Sequence, residues 1–89
     1  MVITVMKAPE QTEVSVWVRP GRDRSGWAGA MHAGLPVVDV CGSIGDRRTN
    51  QEAAIALARH YGAAPRDVEL LEGFATQRKT FRVTLRRKT

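Results

Sequence analysis

The sequence predicts an α+β fold: a two-layer sandwich in which a mixed, mostly antiparallel sheet of four to five strands carries one main helix on one face, in the order β-β-loop-β-α-β-β. Three observations lead there. Residues 13–18 and 79–85 alternate apolar and polar side chains with period two, as half-buried strands do. Residues 50–61 form an alanine-rich run that is amphipathic at helical spacing. Stretches bearing proline and glycine separate these segments, so no element runs into the next.

Taken in order, residues 2–6 are a short apolar run read as a first strand, and residues 7–12, with Pro9 and polar neighbours, read as a hairpin loop. In residues 13–18, Val14, Val16 and Val18 face one way, and Ser15 and Trp17 the other. Pro20-Gly21 ends that strand, because proline cannot donate to a ladder. Residues 20–34 mix glycines and alanines with arginines and show no period, so they read as an irregular loop pinned to the body by Trp27. Residues 35–41 give the next strand, Val38 and Val40 on one face and Val37, Asp39 and Cys41 on the other.

Thr49-Asn50-Gln51-Glu52 has the form of a capping box, with the Thr49 hydroxyl accepting an N–H three residues on and Glu52 reaching back. The helix then carries Ala53, Ala54, Leu57, Ala58 and Tyr61 on one stripe, with Glu52, Ala56 and Arg59 opposite. Gly62 supplies a left-handed C-cap, and Pro65 prevents the helix from resuming. Residues 67–71 form a strand with Val68 and Leu70 inward, and Glu72-Gly73 turns the chain. The last strand, 79–85, puts Phe81, Val83 and Leu85 on one side and Arg82 and Thr84 on the other; residues 86–89 read as a frayed tail.

Eighty-nine residues, 43% apolar and 26% charged, suit a single globular domain spanning 1–89. A single cysteine, Cys41, excludes an internal disulfide. The absence of a leader pattern or of an apolar run near membrane-spanning length leads us to expect a cytoplasmic protein without membrane contact. The net charge is +5, and residues 73–89 hold six basic residues and no acid. Arginine outnumbers lysine, which favours phosphate but also follows from GC-rich coding.

At this point the chain resembles the YggU-like family, small α/β proteins of unknown function, as a diverged member. The residues that carry the resemblance are the strand 14–18 followed by Pro20-Gly21 and Arg22 and Arg24, then Asp46, Arg48 and Asn50, which match the Asp, Lys and Asn of the family's loop signature. Leu57-Ala58, Gly62, Val68 and Leu70 follow its helix and next strand, and Gly73 and Lys79 match the ends of its Gly-x-Thr-Ser-Arg-x-Lys segment. Gly42-Ser43-Ile44-Gly45 stands where the family has Ala-Pro-Pro-Val, and Ala75-Thr76-Gln77 replaces Thr-Ser-Arg. The resemblance implies a mixed sheet with a helix on one face, and no activity.

The chemistry concentrates at the loop before the helix. If the loops after Pro20, around Gly45 and after Gly73 converge, they gather Arg22, Arg24, Arg47, Arg48, Arg78 and Lys79 near a helix N-terminus, with Asp46 and Asn50 ordering the loop. Such a rim fits RNA or another phosphate-bearing polyanion; the plain alternative is a set of solvated arginines. Gly42-Ser43-Ile44-Gly45 matches the Gly-x-x-Gly of KH domains, but a strand precedes it where that motif joins two helices. Trp17, on the face opposite the core with Arg82 and Thr84, suggests a protein partner or a ring covered by the 20–34 loop. Asp39, on a mostly apolar strand, implies a wet face or an arginine partner.

For catalysis the signals are thin. His32 and His60 lack a serine or cysteine at motif spacing, Cys41 reads as a small apolar filler, and no cluster has metal-ligand spacing or a cofactor motif. The expectation is a non-enzymatic binding module with a basic edge. The alternatives are an accessory protein using the Trp17 face, or an enzyme acting on a phosphorylated small molecule at Arg47 and Arg48. Oligomeric state is not legible.

Overall fold

The computed structural model describes residues 10–86. Its elements are β1 (Glu10–Arg19), β2 (Gly26–His32), β3 (Leu35–Asp39), α1 (Arg47–Tyr61), a 3-10 turn (Pro65–Asp67), β4 (Val68–Glu72) and β5 (Arg78–Leu85). The fold is α+β: one helix packs against a five-stranded, mostly antiparallel sheet of order β2-β3-β1-β5-β4. Only the β1–β3 pairing is parallel among these neighbours, with Trp17 opposite Val37 and Arg19 opposite Asp39.

Period two decides which side chains make the core. Val14, Val16 and Val18 of β1, Val38 of β3, and Phe81 and Val83 of β5 point to one face and are buried, with Val40 just beyond β3. Onto that face α1 lays Ala53, Ala56, Leu57 and Ala58. Alanine keeps the helix axis close to the sheet, so valine-sized side chains are long enough to meet it. The helix ends at Gly62 (φ 68°), whose N–H bonds back to Ala58 and Arg59 carbonyls, as a left-handed cap does.

Several expectations are corrected. The run 2–6 lies outside the described residues, but residues 10–12, read as loop, belong to β1. They pair with β5 from Glu10–Leu85 to Thr12–Val83, a partner strand that local sequence does not reveal. Within the supposed loop 20–34 lies β2, which makes a hairpin with β3 through Ala33 (φ 49°) and Gly34 (φ 78°). Two successive positive φ values are what a tight two-residue hairpin needs. A register shift between Trp27 and Met31 and the small residues between them erase the alternation that would have announced a strand.

Helix α1 starts three residues earlier than read, and its cap is Asp46, whose Oδ1 accepts the Arg48 N–H at 3.0 Å. Thr49 is therefore inside the helix and fully buried. Ala56, expected on the outer face, is buried too, because β2 supplies a wall there through Trp27. Asp67, read into β4, ends the 3-10 turn begun by Pro65. Arg86, assigned to a frayed tail, makes an ion pair with Asp67 at 3.0 Å; residues 87–89 lie outside the described residues.

Candidate functional site

Topology alone sets up one busy end of the sheet. β1 and β3 run parallel, while β5 is antiparallel to β1 and β4 antiparallel to β5. The C-terminal ends of β1, β3 and β4 and the N-terminal end of β5 therefore lie together. Loops 20–25, 40–46 and 73–77 all leave from that end. The first two are cross-linked, the Gly21 N–H donating to the Gly42 carbonyl (3.2 Å) and the Arg22 N–H to Val40 (2.9 Å), and the third is tied to β1, where the Val18 N–H donates to Gln77 (2.8 Å). Asn50 Nδ2, in the first turn of α1, donates to the Phe74 carbonyl at 3.2 Å and ties the helix to the third loop.

On this rim Arg22, Arg24, Arg47, Arg48 and Arg78 are exposed. Arg22, Arg24, Gly21, Asp23 and Asp39 line an open polar cleft of about 450 Å³. Of the two readings open for Asp39, the arginine partner is the one found: Arg19 donates through Nε at 2.7 Å and Nη2 at 3.1 Å, a two-pronged pair. Arg22 Nε lies 3.9 Å from the same carboxylate, so its guanidinium is only loosely held.

The sixth cation of the sequence reading is not available. Lys79 is fully buried, and its Nζ donates to the carbonyls of Gly73 (2.7 Å) and Phe74 (2.9 Å). Burial pushes its pKa below the ordinary 10.5. Strand parity explains it: Lys79 shares a face with Phe81 and Val83, so its stem runs along the core and its head ends, still buried, against the carbonyls of the 73–77 loop. Its work is to hold that loop closed. The helix N-terminus is likewise partly taken, since Asp46 already accepts from it. Any anion here meets arginine side chains more than free N–H groups.

The Thr49–Glu52 pattern predicts that Glu52 completes a capping box. Instead it accepts from the Ser25 hydroxyl and from the Cys41 N–H (2.7 Å), fastening α1 to the first two loops. The Ser25 hydrogen bond, followed by the Cys41 N–H and the nearby Arg48 charge, holds its carboxyl below the ordinary 4.5, against the opposing effect of burial. A depressed carboxylate pKa adds stability that is fully present above the unfolded value and is lost as pH falls through the folded one. Thermal melts should therefore lose stability below about pH 4.5, and Glu52→Gln should flatten that acid limb. A variant whose acid limb matches the parent would remove Glu52 from this role.

Cys41 is exposed beyond β3, with Sγ 3.4 Å from Ser25 Oγ, and is not the apolar filler expected. Beside it, Ser25, Trp27, Glu52, Ile55, Arg59 and His60 help to line a cleft of about 380 Å³. His60 stacks on Trp27 with ring centres 3.7 Å apart and planes 4° from parallel, and Tyr61 meets Trp27 edge-on. These contacts pin β2 to the helix. On the opposite face of the sheet Trp17 stacks with His32 at 4.2 Å and 24°. No sequence spacing links residues 17 and 32; β3 brings their strands within reach.

No helix of the described residues is long and apolar enough to cross a membrane. No protein-family model matches the chain, and a comparison with curated proteins finds no match.

Proposed function

We propose that this domain is a non-enzymatic, cytoplasmic binding module whose arginine rim engages the phosphate backbone of RNA. The observation that carries this reading is the convergence of three hydrogen-bonded loops at one sheet end, with Arg22, Arg24, Arg47, Arg48 and Arg78 exposed on them. Arginine forks suit phosphate oxygens, and a rim ordered by Asn50, Lys79 and Glu52 loses little entropy on binding. Three of the nearby carboxylates are already engaged, which leaves little for acid–base chemistry there beyond the exposed Asp23. Asp39 is engaged by Arg19, Asp46 by the helix start, and Glu52 by Ser25 and the Cys41 N–H. The exposed thiol of Cys41 suits a reducing compartment.

Kinship with the YggU-like family is proposed on the same residues. Asp46, Asn50, Gly73 and Lys79, matched in segments far apart, form one connected set in which Asp46 caps α1, Asn50 holds Phe74, and Lys79 holds Gly73 and Phe74. Each of these residue types suits the contact it makes.

The test is a salt titration of a fluorescein-labelled single-stranded RNA oligonucleotide by anisotropy. With about four phosphate contacts, affinity should fall about fiftyfold between 50 and 200 mM salt. Arg22→Ala/Arg24→Ala and Arg47→Ala/Arg48→Ala should each shallow the slope. An affinity indifferent to salt would sink the proposal.

A further inference from the structure

The sheet face opposite the helix is the second place where chemistry gathers. There Trp17 is half-buried and lies directly across the ladder from the exposed Arg78, with Val37 on its other side. Arg19, two residues on and hence on the same face, carries its pair with Asp39. His32 is exposed and lies over the indole at 4.2 Å and 24°, a stacked arrangement of two planar rings. Ser15 and Thr80, hydrogen-bonded to each other at 2.8 Å, continue the face away from the rim. The helix packs on the other side of the sheet, so among the described residues it leaves this face uncovered: His32 reaches from the hairpin end of β2 to lie exposed over Trp17, and Trp17 stands beside Arg78 of the rim.

We infer that the Trp17–His32 pair is a base-stacking platform, and that the ligand of the rim is single-stranded RNA. The inference rests on the rim reading and narrows its ligand class. Imidazole is a planar heteroaromatic ring, as a nucleobase is, and its seat over the indole marks where such a ring fits. A base stacks on the outer face of His32 or takes its place on Trp17, while Arg78 and the loop arginines hold the adjoining phosphates. Stacking of this kind is indifferent to base identity, because every base has a π face. Duplex RNA cannot use it, since its bases are paired and already stacked within the helix. Heparin, a polyanion without bases, cannot use it either.

The experiment compares a ten-nucleotide single-stranded RNA, the duplex of the same sequence, and heparin, each titrated against the full chain. Trp17→Ala should weaken the single strand roughly 5- to 150-fold, as loss of one stacked base does, and leave heparin within twofold. Trp17→Phe keeps a ring and should retain most of the single-strand affinity. In a Trp27→Phe background Trp17 is the remaining indole, and its emission should be quenched by the single strand and not by the duplex. That readout needs no Trp17 variant to fold. Absence of quenching, or a Trp17→Ala affinity for the single strand equal to the parent's, overturns the platform, and the arginine rim stands if its own variants still weaken the single strand and heparin. If none of the three ligands binds, the rim reading falls and takes the platform with it.

Discussion

Phe81→Ala is expected to lower the unfolding free energy by about 3–5 kcal/mol. Phe81 is fully buried on β5, a central strand, opposite Val14 of β1 and Leu70 of β4. Its ring closes the layer between sheet and helix, and valines around it are too stiff at χ1 to swing into the hole. A domain of 89 residues has a total stability of only about 5–13 kcal/mol, so this one change brings the chain near its unfolding threshold. Urea denaturation measures the effect. A loss below about 1 kcal/mol would mean that the ring is not in the core.

The second large effect is expected at Gly73. Its φ is 86°, in the left-handed region, and a Cβ there would overlap the carbonyl oxygen of Arg78 and press on the Lys79 Cα. Both obstacles are backbone, so no side chain can rotate away. The same residue offers its carbonyl to Lys79 Nζ and to the Thr76 N–H, so displacing it also loosens the rim. Gly73→Ala should cost about 2–4 kcal/mol, combining strain with overpacking. Gly29, also left-handed (φ 69°) but with nothing within 4 Å of a built Cβ, isolates the strain component. Gly29→Ala should cost about 1 kcal/mol. Equal losses for the two variants would show that the close approach at Gly73 has no energetic weight.

How far the residues alone lead depends on whether the deciding contact is local. β1 from Val14, β5 and the body of α1 were legible because burial imposes a period that survives in the side-chain types. The turn at Gly73 was legible for the same kind of reason, since glycine there answers to backbone geometry. β2 was not, because glycine, alanine and a register shift leave no alternation to read. At the helix start, Asp46 and Thr49 were both chemically fit to cap, and the loop's path, which sequence does not state, gave the task to Asp46.

The candidate site divides in the same way. That arginines cluster before the helix could be read directly, whereas for Asp39 the sequence left a wet face and an arginine partner equally open. Lys79 does not belong among them: its parity with Phe81 and Val83 points it inward, and period outweighs charge in deciding where its stem lies. Trp17 falls on the face its alternation predicts and is covered from the 20–34 segment, one of the two readings the sequence allows; that His32 is the residue covering it is decided only by the fold, because residues 17 and 32 meet across an intervening strand.

By itself the sequence determined the class of fold, the apolar face of each regular strand and the helix, and the surplus of arginine, because these follow from propensity, periodicity and composition. Tertiary structure alone decided that three distant loops share one end of the sheet, that a lysine and a glutamate serve as clasps for them, and that an indole and an imidazole stack on the open face. The reason is that strand order and direction are long-range choices, set by which edges pair, and such pairings leave almost no trace in the residues that flank them.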